Sequence, residues 1–210
     1  MKIIVFDTET TGLPEKGAKL NDLSKWPYII QLSWLEINIC PKVSYNLENH
    51  YIKIDKNVKL SEESIKIHGI TRDKLENEGK DLNLILKKLL KSLTNTDYLV
   101  AHNLNFDKNM LNVECSRNNI DLNKNISLIE FCTMKYGEQI CNIKIIGKNG
   151  KEFTKFPKLN ELYIKLFNEN VENYHNAKVD IICCARCFMF MTNNGDLYDM
   201  FPLLKKEIEY

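Results

Sequence analysis

The stretch Met1-Lys2-Ile3-Ile4-Val5-Phe6-Asp7-Thr8-Glu9-Thr10-Thr11-Gly12 decides the fold. Lys2 to Phe6 is a short apolar run rich in β-branched residues, the pattern of a buried central strand. Side chains of an extended chain alternate between faces with period two, so Asp7 and Glu9 emerge on one side where the strand ends. Two like charges set that close repel each other, and each loses water as it nears the core. A stable fold keeps such a pair when something positive sits between them. No Lys or Arg stands between Asp7 and Glu9, and a divalent cation with oxygen ligands is the natural candidate. From this stretch alone the alternative stays open that both carboxylates sit in a solvated turn.

Composition narrows the classes. A chain of 210 residues suits one large domain, 1–210, and a hydrophobic fraction of 44% can form its core. The formal net charge of +1 excludes a polycation, so a nucleic-acid partner would be held by a local surface and by metal ions. Seven cysteines form an odd set without small-domain spacing. With no targeting segment ahead of the first strand, they predict a reducing, cytoplasmic compartment. No apolar stretch has the length to span a membrane, so no membrane partner is expected.

Working outward, Tyr28 to Ile39 and Ser44 to Ile54 read as strands joined by the short linker Cys40-Pro41-Lys42. An antiparallel meander of the first three strands follows. Ser61-Glu62-Glu63 opens a short helix that Gly69 ends, and Thr71 caps a second. Asp81 to Leu93 is amphipathic, with Leu82, Ile85, Leu86, Leu89, Leu90 and Leu93 on one stripe. Tyr98 to Ala101 is a buried strand; after His102-Asn103, Phe106, Met110 and Leu111 continue at helical spacing. Ser127 to Cys132 is the fifth strand. Residues 141–157 read as an inserted hairpin around Asn149-Gly150, carrying Lys144, Lys148, Lys151 and Lys155, with Lys158 just beyond. Such lysines are usually a solvated face; as an insertion they could hold a phosphate backbone. Leu159, Leu162, Tyr163, Leu166 and Phe167 make a helix face. His175 begins a last core helix with Ala177, Ile181, Ile182, Ala185 and Phe188 inward, and a helix over about 197–210 caps the chain.

Four acids now converge in expectation. Asp7 and Glu9 end the first strand, Asp107 opens the helix after the fourth, and Asp180 lies near the start of the last core helix. Four acids on neighbouring element ends can hold two divalent cations about 4 Å apart, the arrangement used for in-line phosphoryl displacement. Such a site needs a base near neutral pKa, usually histidine.

The chain resembles the DnaQ-like exonucleases of the DEDDh branch, in the ribonuclease H-like superfamily. Three motifs carry the resemblance: Phe6-Asp7-Thr8-Glu9-Thr10-Thr11-Gly12-Leu13, His102-Asn103 through Phe106-Asp107, and His175, Ala177 and Asp180 in H-x-A-x-x-D spacing. Ile67-His68-Gly69-Ile70-Thr71 and the Leu159 to Phe167 helix match the family's intervening segments. Any one motif is weak; all in order are a strong signal. The resemblance implies an α/β fold with a mixed five-stranded sheet, helices on both faces and the acids gathered at one edge. It implies a 3′–5′ exonuclease that uses two Mg²⁺ ions, replaceable by Mn²⁺, and releases nucleoside 5′-monophosphates. Asp7 would bridge both metals, Glu9 and Asp180 would hold the water-activating one, and Asp107 would support the second. His175 would be the general base. Glu9 and Thr10 would meet the terminal nucleotide, Leu13 would wedge against the last base, and Phe106 would pack on the end nucleotide. The implied partner is nucleic acid with a 3′ end, single-stranded DNA or a frayed terminus, in proofreading or DNA repair. The protein partners considered are a polymerase or a second copy of the chain.

Plainer readings accompany these assignments. A lone His175 would be a surface or packed histidine, and only its spacing to Asp180 singles it out. His102 is structural, His68 is either a helix-end residue or a substrate contact, and His50 has no role. Cys183, Cys184 and Cys187 are small buried residues, since no second ligand pair has zinc spacing. A 3′ exoribonuclease remains as a rival, because no reader of the 2′-hydroxyl is visible. A metal-free 3′-end or polymerase-binding module is a second rival, though a dead copy is expected to lack an acid or the base.

Overall fold

The computed structural model describes residues 1–122, 128–172 and 174–208. Lys2–Thr10 (β1) is the middle strand of a five-stranded sheet. On one side it pairs antiparallel with Ile29–Asn38 (β2), which pairs antiparallel with Ser44–Tyr51 (β3). After three helices, Glu62–His68 (α1), Arg72–Glu78 (α2) and Leu82–Leu93 (α3), the chain returns as Tyr98–Ala101 (β4). This strand lies parallel to β1 on its other side. Helix Leu104–Arg117 (α4) leads to Ile129–Cys132 (β5), parallel to β4. Then follow Thr133–Cys141 (α5), a separate ribbon of Lys144–Ile146 (β6) and Glu152–Thr154 (β7), and Leu159–Phe167 (α6). Ala177–Met191 (α7), Leu197–Met200 (α8) and Pro202–Lys206 (α9) complete the described chain. The mixed sheet with helices on both faces is the expected ribonuclease H-like architecture. No helix among the described residues is long and apolar enough to cross a membrane.

Strand parity along β1 separates the two larger clusters of the core. Ile3 and Val5 point into a cluster with Leu162, Tyr163, Ile181, Ile182 and Phe188 from α6 and α7. Ile4 and Phe6 point into another with Leu86, Leu89, Met110 and Leu111 from α3 and α4. Each of the four β1 side chains is at most 1% exposed, and burying one such side chain contributes about 1.5–3 kcal/mol. The middle strand is therefore clamped from both faces, which fixes the direction in which its next residues point. Two caps form as read: Ser61 Oγ accepts from Ser64 N–H at 3.0 Å, and Gly69 closes α1 at φ 69°. Asp81, read as the first residue of its helix, instead caps it, its Oδ1 accepting from Leu84 N–H at 3.1 Å.

Several expectations are corrected. The first strand does not stop before the acids but runs through them, pairing Asp7 with Ser33 and Glu9 with Gln31 before a register shift at Thr10. The acids therefore lie at the carboxyl end of the middle strand, not at a sheet edge. The third strand ends at Tyr51, with Ile52 left in an isolated bridge to Lys80. The fifth begins at Ile129; Ser127 lies outside the described residues. Helix α5 is absent from the sequence-based expectation, because a glycine at its middle argues against a helix. Gly137 is there for packing: a Cβ on it would lie 3.0 Å from Leu162 Cδ1 and 3.2 Å from Pro157 Cγ. The last helix is two short ones, broken at Phe201 because the residue before Pro202 is driven out of the helical region. Residues 209 and 210 of that predicted helix lie outside the described residues. His175 stands before α7, two residues upstream of its first turn, at φ 70°.

Candidate active site

Asp7 and Glu9 continue the parity of Ile3 and Val5, so they point to the face that α7 covers. Asp180, in the first turn of α7, comes to meet them. Ligand oxygens of Asp7, Glu9 and Asp180 lie within 4.8 Å of one another, and all three residues are partly buried. Among the described residues this is the one acidic or Cys/His group close enough to share an ion.

Asp107 reaches the same strand end from the opposite face. It lies in the first turn of α4 and is only 3% exposed. Its Oδ1 accepts from Thr8 N–H at 3.1 Å and from Thr8 Oγ–H at 2.7 Å. Thr8 points away from Asp7 and Glu9, which is why Asp107 binds it and stands outside the triad. It remains within electrostatic reach of Asp7.

All four carboxyls titrate above their ordinary range. For each the first cause is burial. Repulsion adds to it: Asp7, Asp180 and Asp107 act on Glu9, and Asp7 acts on both Asp107 and Asp180. The Thr8 donors oppose the shift on Asp107, and the His175 N–H, donating to Asp180 Oδ2 at 3.1 Å, opposes it on Asp180. Among the described residues no Lys or Arg forms an ion pair with any of the four. Asp180 Oδ1 is buried with no hydrogen-bond partner. An all-oxygen donor set with an orphaned buried carboxylate oxygen fits a hard divalent cation.

The triad opens into a cleft of about 570 Å³ lined also by Leu13, Phe106, Asp107, Lys158, Asn160 and His175. Leu13 is 83% exposed where it lines the cleft. Phe106 is half-buried and also lines the neighbouring hollow with Glu9, Thr10, Leu13 and His68. Thr10 lines only that hollow, and its hydroxyl donates to the Gly12 carbonyl at 2.7 Å, so it is occupied in closing the turn. His175 is exposed, and partial burial and Lys158 lower its pKa. His68 accepts from Ile70 N–H on Nδ1 at 2.9 Å, the helix-end role, while its ring also borders the hollow.

His102 is structural. Nε2 donates to the Pro157 carbonyl at 3.0 Å, and Nδ1 accepts a hydrogen bond from the Thr133 hydroxyl at 3.0 Å. Burial pushes its pKa down to about 4, against the pull of the Pro157 carbonyl. It thereby ties the end of β4 to the segment that forms the cleft's far wall. Cys183, Cys184 and Cys187 are buried, free and outside the acidic cluster. Asn160 escapes sequence reasoning: its Oδ1 is buried without a partner at the cleft. An Asn in the first turn of a helix is ordinary, so nothing local marks it.

The chain is similar to known proteins in sequence and in fold. The RNase_T model, described as "Exonuclease", matches residues 4–188. A DNA polymerase III subunit epsilon from Buchnera aphidicola subsp. Baizongia pistaciae is 29% identical over 193 residues, 90% of this chain and 70% of that protein. Among solved structures, E. coli exonuclease I in complex with a dT13 oligonucleotide superposes with a TM-score of 0.69 at 16% identity. That match covers 96% of this chain but 43% of the exonuclease I chain, so the present chain spans less than half of it. The nuclease domain of 3′hExo, a DEDDh family member bound to rAMP, superposes at 0.64 with 17% identity, covering 93% of both chains.

Proposed function

This chain belongs to the exonuclease family, in its DnaQ-like branch, and is a 3′–5′ exonuclease; from that premise we propose its substrate and its chemistry. The whole of 1–210 acts as one exonuclease domain, with the ribbon as an insertion. It removes nucleoside 5′-monophosphates one at a time from single-stranded DNA or a frayed 3′ end. The observation that carries this is the meeting of Asp7, Glu9 and Asp180, from elements far apart in the chain, within 4.8 Å at an open cleft.

Asp7, Glu9 and Asp180 would hold one cation, and Asp107 with Asp7 would hold a second. When bound, Mg²⁺, or Mn²⁺ in its place, supplies positive charge that acidifies water and stabilises the leaving oxygen. His175, exposed at the cleft and held by its backbone bond to Asp180, takes the proton from the attacking water. Phe106 and Leu13 pack against the terminal nucleotide without reading its base edges, which suits an enzyme with little sequence preference. The complete set of acids and base argues against a binding-only copy. The epsilon relative supports a polymerase, in proofreading, over a second copy of this chain as protein partner.

Degradation of a 5′-labelled DNA oligonucleotide tests the reading. Shortening from the 3′ end should stop in EDTA, return with Mg²⁺, and vanish in Asp7→Ala. If Asp7→Ala digests the strand as fast as the parent, the reading is wrong. A matched RNA strand degraded faster than DNA would make the enzyme an exoribonuclease.

A further inference from the structure

The β6–β7 ribbon takes no part in holding the acids, yet it is built onto the wall of their cleft. Residues Phe156, Pro157 and Lys158, directly after β7, line the cleft together with Asp7, Glu9 and His175. Its base is fixed in three ways. Lys155 N–H donates to Ile143 O at 3.0 Å, Lys155 Nζ meets Glu161 at 2.6 Å, and His102 holds the Pro157 carbonyl. Its tip turns tightly, with Gly150 N–H donating to Gly147 O at 2.9 Å and Gly150 at φ 74°.

Charge and apolar surface are concentrated there. In a chain of net charge +1, residues 143–158 carry Lys144, Lys148, Lys151, Lys155 and Lys158 against Glu152 alone. Lys155 is neutralised by Glu161, but among the described residues Lys148 and Lys151 make no ion pair. Ile145 pairs with Phe153, so the two share one face of the ribbon. They are 36% and 48% exposed, and Phe156 is 47% exposed. A two-stranded ribbon gains little by baring aromatic rings to water. Lysines that meet phosphates beside aromatic faces that meet bases are the chemistry of a single-strand platform.

We propose that this ribbon binds the single-stranded nucleic acid upstream of the 3′-terminal nucleotide. Lys148 and Lys151 contact its phosphates, and Phe153 and Phe156 stack its bases. The inference rests on the proposed function and adds the path along which the strand enters. Lys151 lies seven positions along the chain from Lys158 at the cleft, a span of at most about 23 Å. The ribbon therefore serves long substrates and not a dinucleotide.

The test uses the full chain in two assays. Binding of a fluorescein-labelled 20-mer of dT is followed by anisotropy in EDTA. Hydrolysis of a dinucleotide with Mg²⁺ serves as the control for chemistry. Lys148→Glu with Lys151→Glu should weaken 20-mer binding at least about tenfold. It should also flatten the salt dependence by about 0.7 in log–log slope for each phosphate that is no longer neutralised. Phe153→Ala should weaken binding about fivefold or more. Dinucleotide turnover should stay at the parent rate in both variants, which also shows that they fold. Parental 20-mer affinity in both variants overturns the inference while leaving the exonuclease reading intact. A parent that binds the 20-mer but cleaves neither substrate overturns the exonuclease reading instead.

Discussion

Thr8 and Asp107 are joined by two hydrogen bonds at the carboxyl end of the middle strand, one from the Thr8 hydroxyl at 2.7 Å and one from its N–H at 3.1 Å. Both end on the same oxygen of Asp107. The strand thus grips α4 by a polar contact at the point where its acids turn toward α7.

Thr8→Val keeps the shape of the side chain and removes the stronger donor. A hydrogen bond contributes about 0.5–1.5 kcal/mol net, so a loss of about 1 kcal/mol is expected in urea unfolding. Turnover should fall as well, because Asp107 is freed to leave its position. An unchanged midpoint would show that the backbone donor alone holds Asp107.

Asp7→Asn should separate stability from activity. It removes one negative charge from a buried cluster with no Lys or Arg partner among the described residues. In EDTA the variant should be more stable than the parent by about 1 kcal/mol, a rise in Tm of about 3 °C. Its turnover with Mg²⁺ should drop by about 10³-fold, the equivalent of several kcal/mol of charge stabilisation. Differential scanning calorimetry and the oligonucleotide assay check both halves.

His102 sets a pH dependence of stability. Its pKa falls from 6.5 to about 4 on folding. Above pH 6.5 both states are neutral and the group contributes nothing. As the pH falls below 6.5 the unfolded chain takes up a proton that the folded protein refuses, so stability is lost until about pH 4. The span is worth at most about 3 kcal/mol. Unfolding free energies measured between pH 7 and 5 should decline less in His102→Gln than in the parent. The difference between the two proteins removes the opposite trend of the buried carboxyls.

Arg186 anchors the far end of α7. Its guanidinium meets Asp196 through Nε at 2.9 Å and Nη2 at 2.8 Å, meets Glu169 through Nη1 at 2.8 Å, and lies 3.9 Å from the Phe167 ring centroid. Lys cannot reproduce the planar fork. Arg186→Lys should cost about 2 kcal/mol in thermal or urea unfolding, discounted because Glu169 is 44% exposed. Activity at 25 °C, where the variant stays folded, should be little changed.

Much of the site is legible in the chain because its signals are local. Alternation along an extended strand puts Asp7 and Glu9 on one side. Ser61, Gly69 and Thr71 mark helix ends through their own hydrogen bonds and backbone freedom. The six residues from His175 to Asp180 span a cap and a first turn, and the structure closes that span with a 3.1 Å bond. Where local preference runs against packing, the pattern misleads. Gly137 sits in a helix because Leu162 and Pro157 leave no room for a Cβ.

The amino-acid order by itself determined which residues could share a face, where helices begin, and which three segments bear the acids. It did so because sterics and capping act over a few residues. Only the tertiary structure decided that Asp180 joins Asp7 and Glu9 while Asp107 approaches from the other side and binds Thr8. It also decided that Asn160 and Lys158 stand at the same cleft. That choice is made by two apolar faces of one strand, each burying itself against its own helices, and no short stretch of the chain contains it.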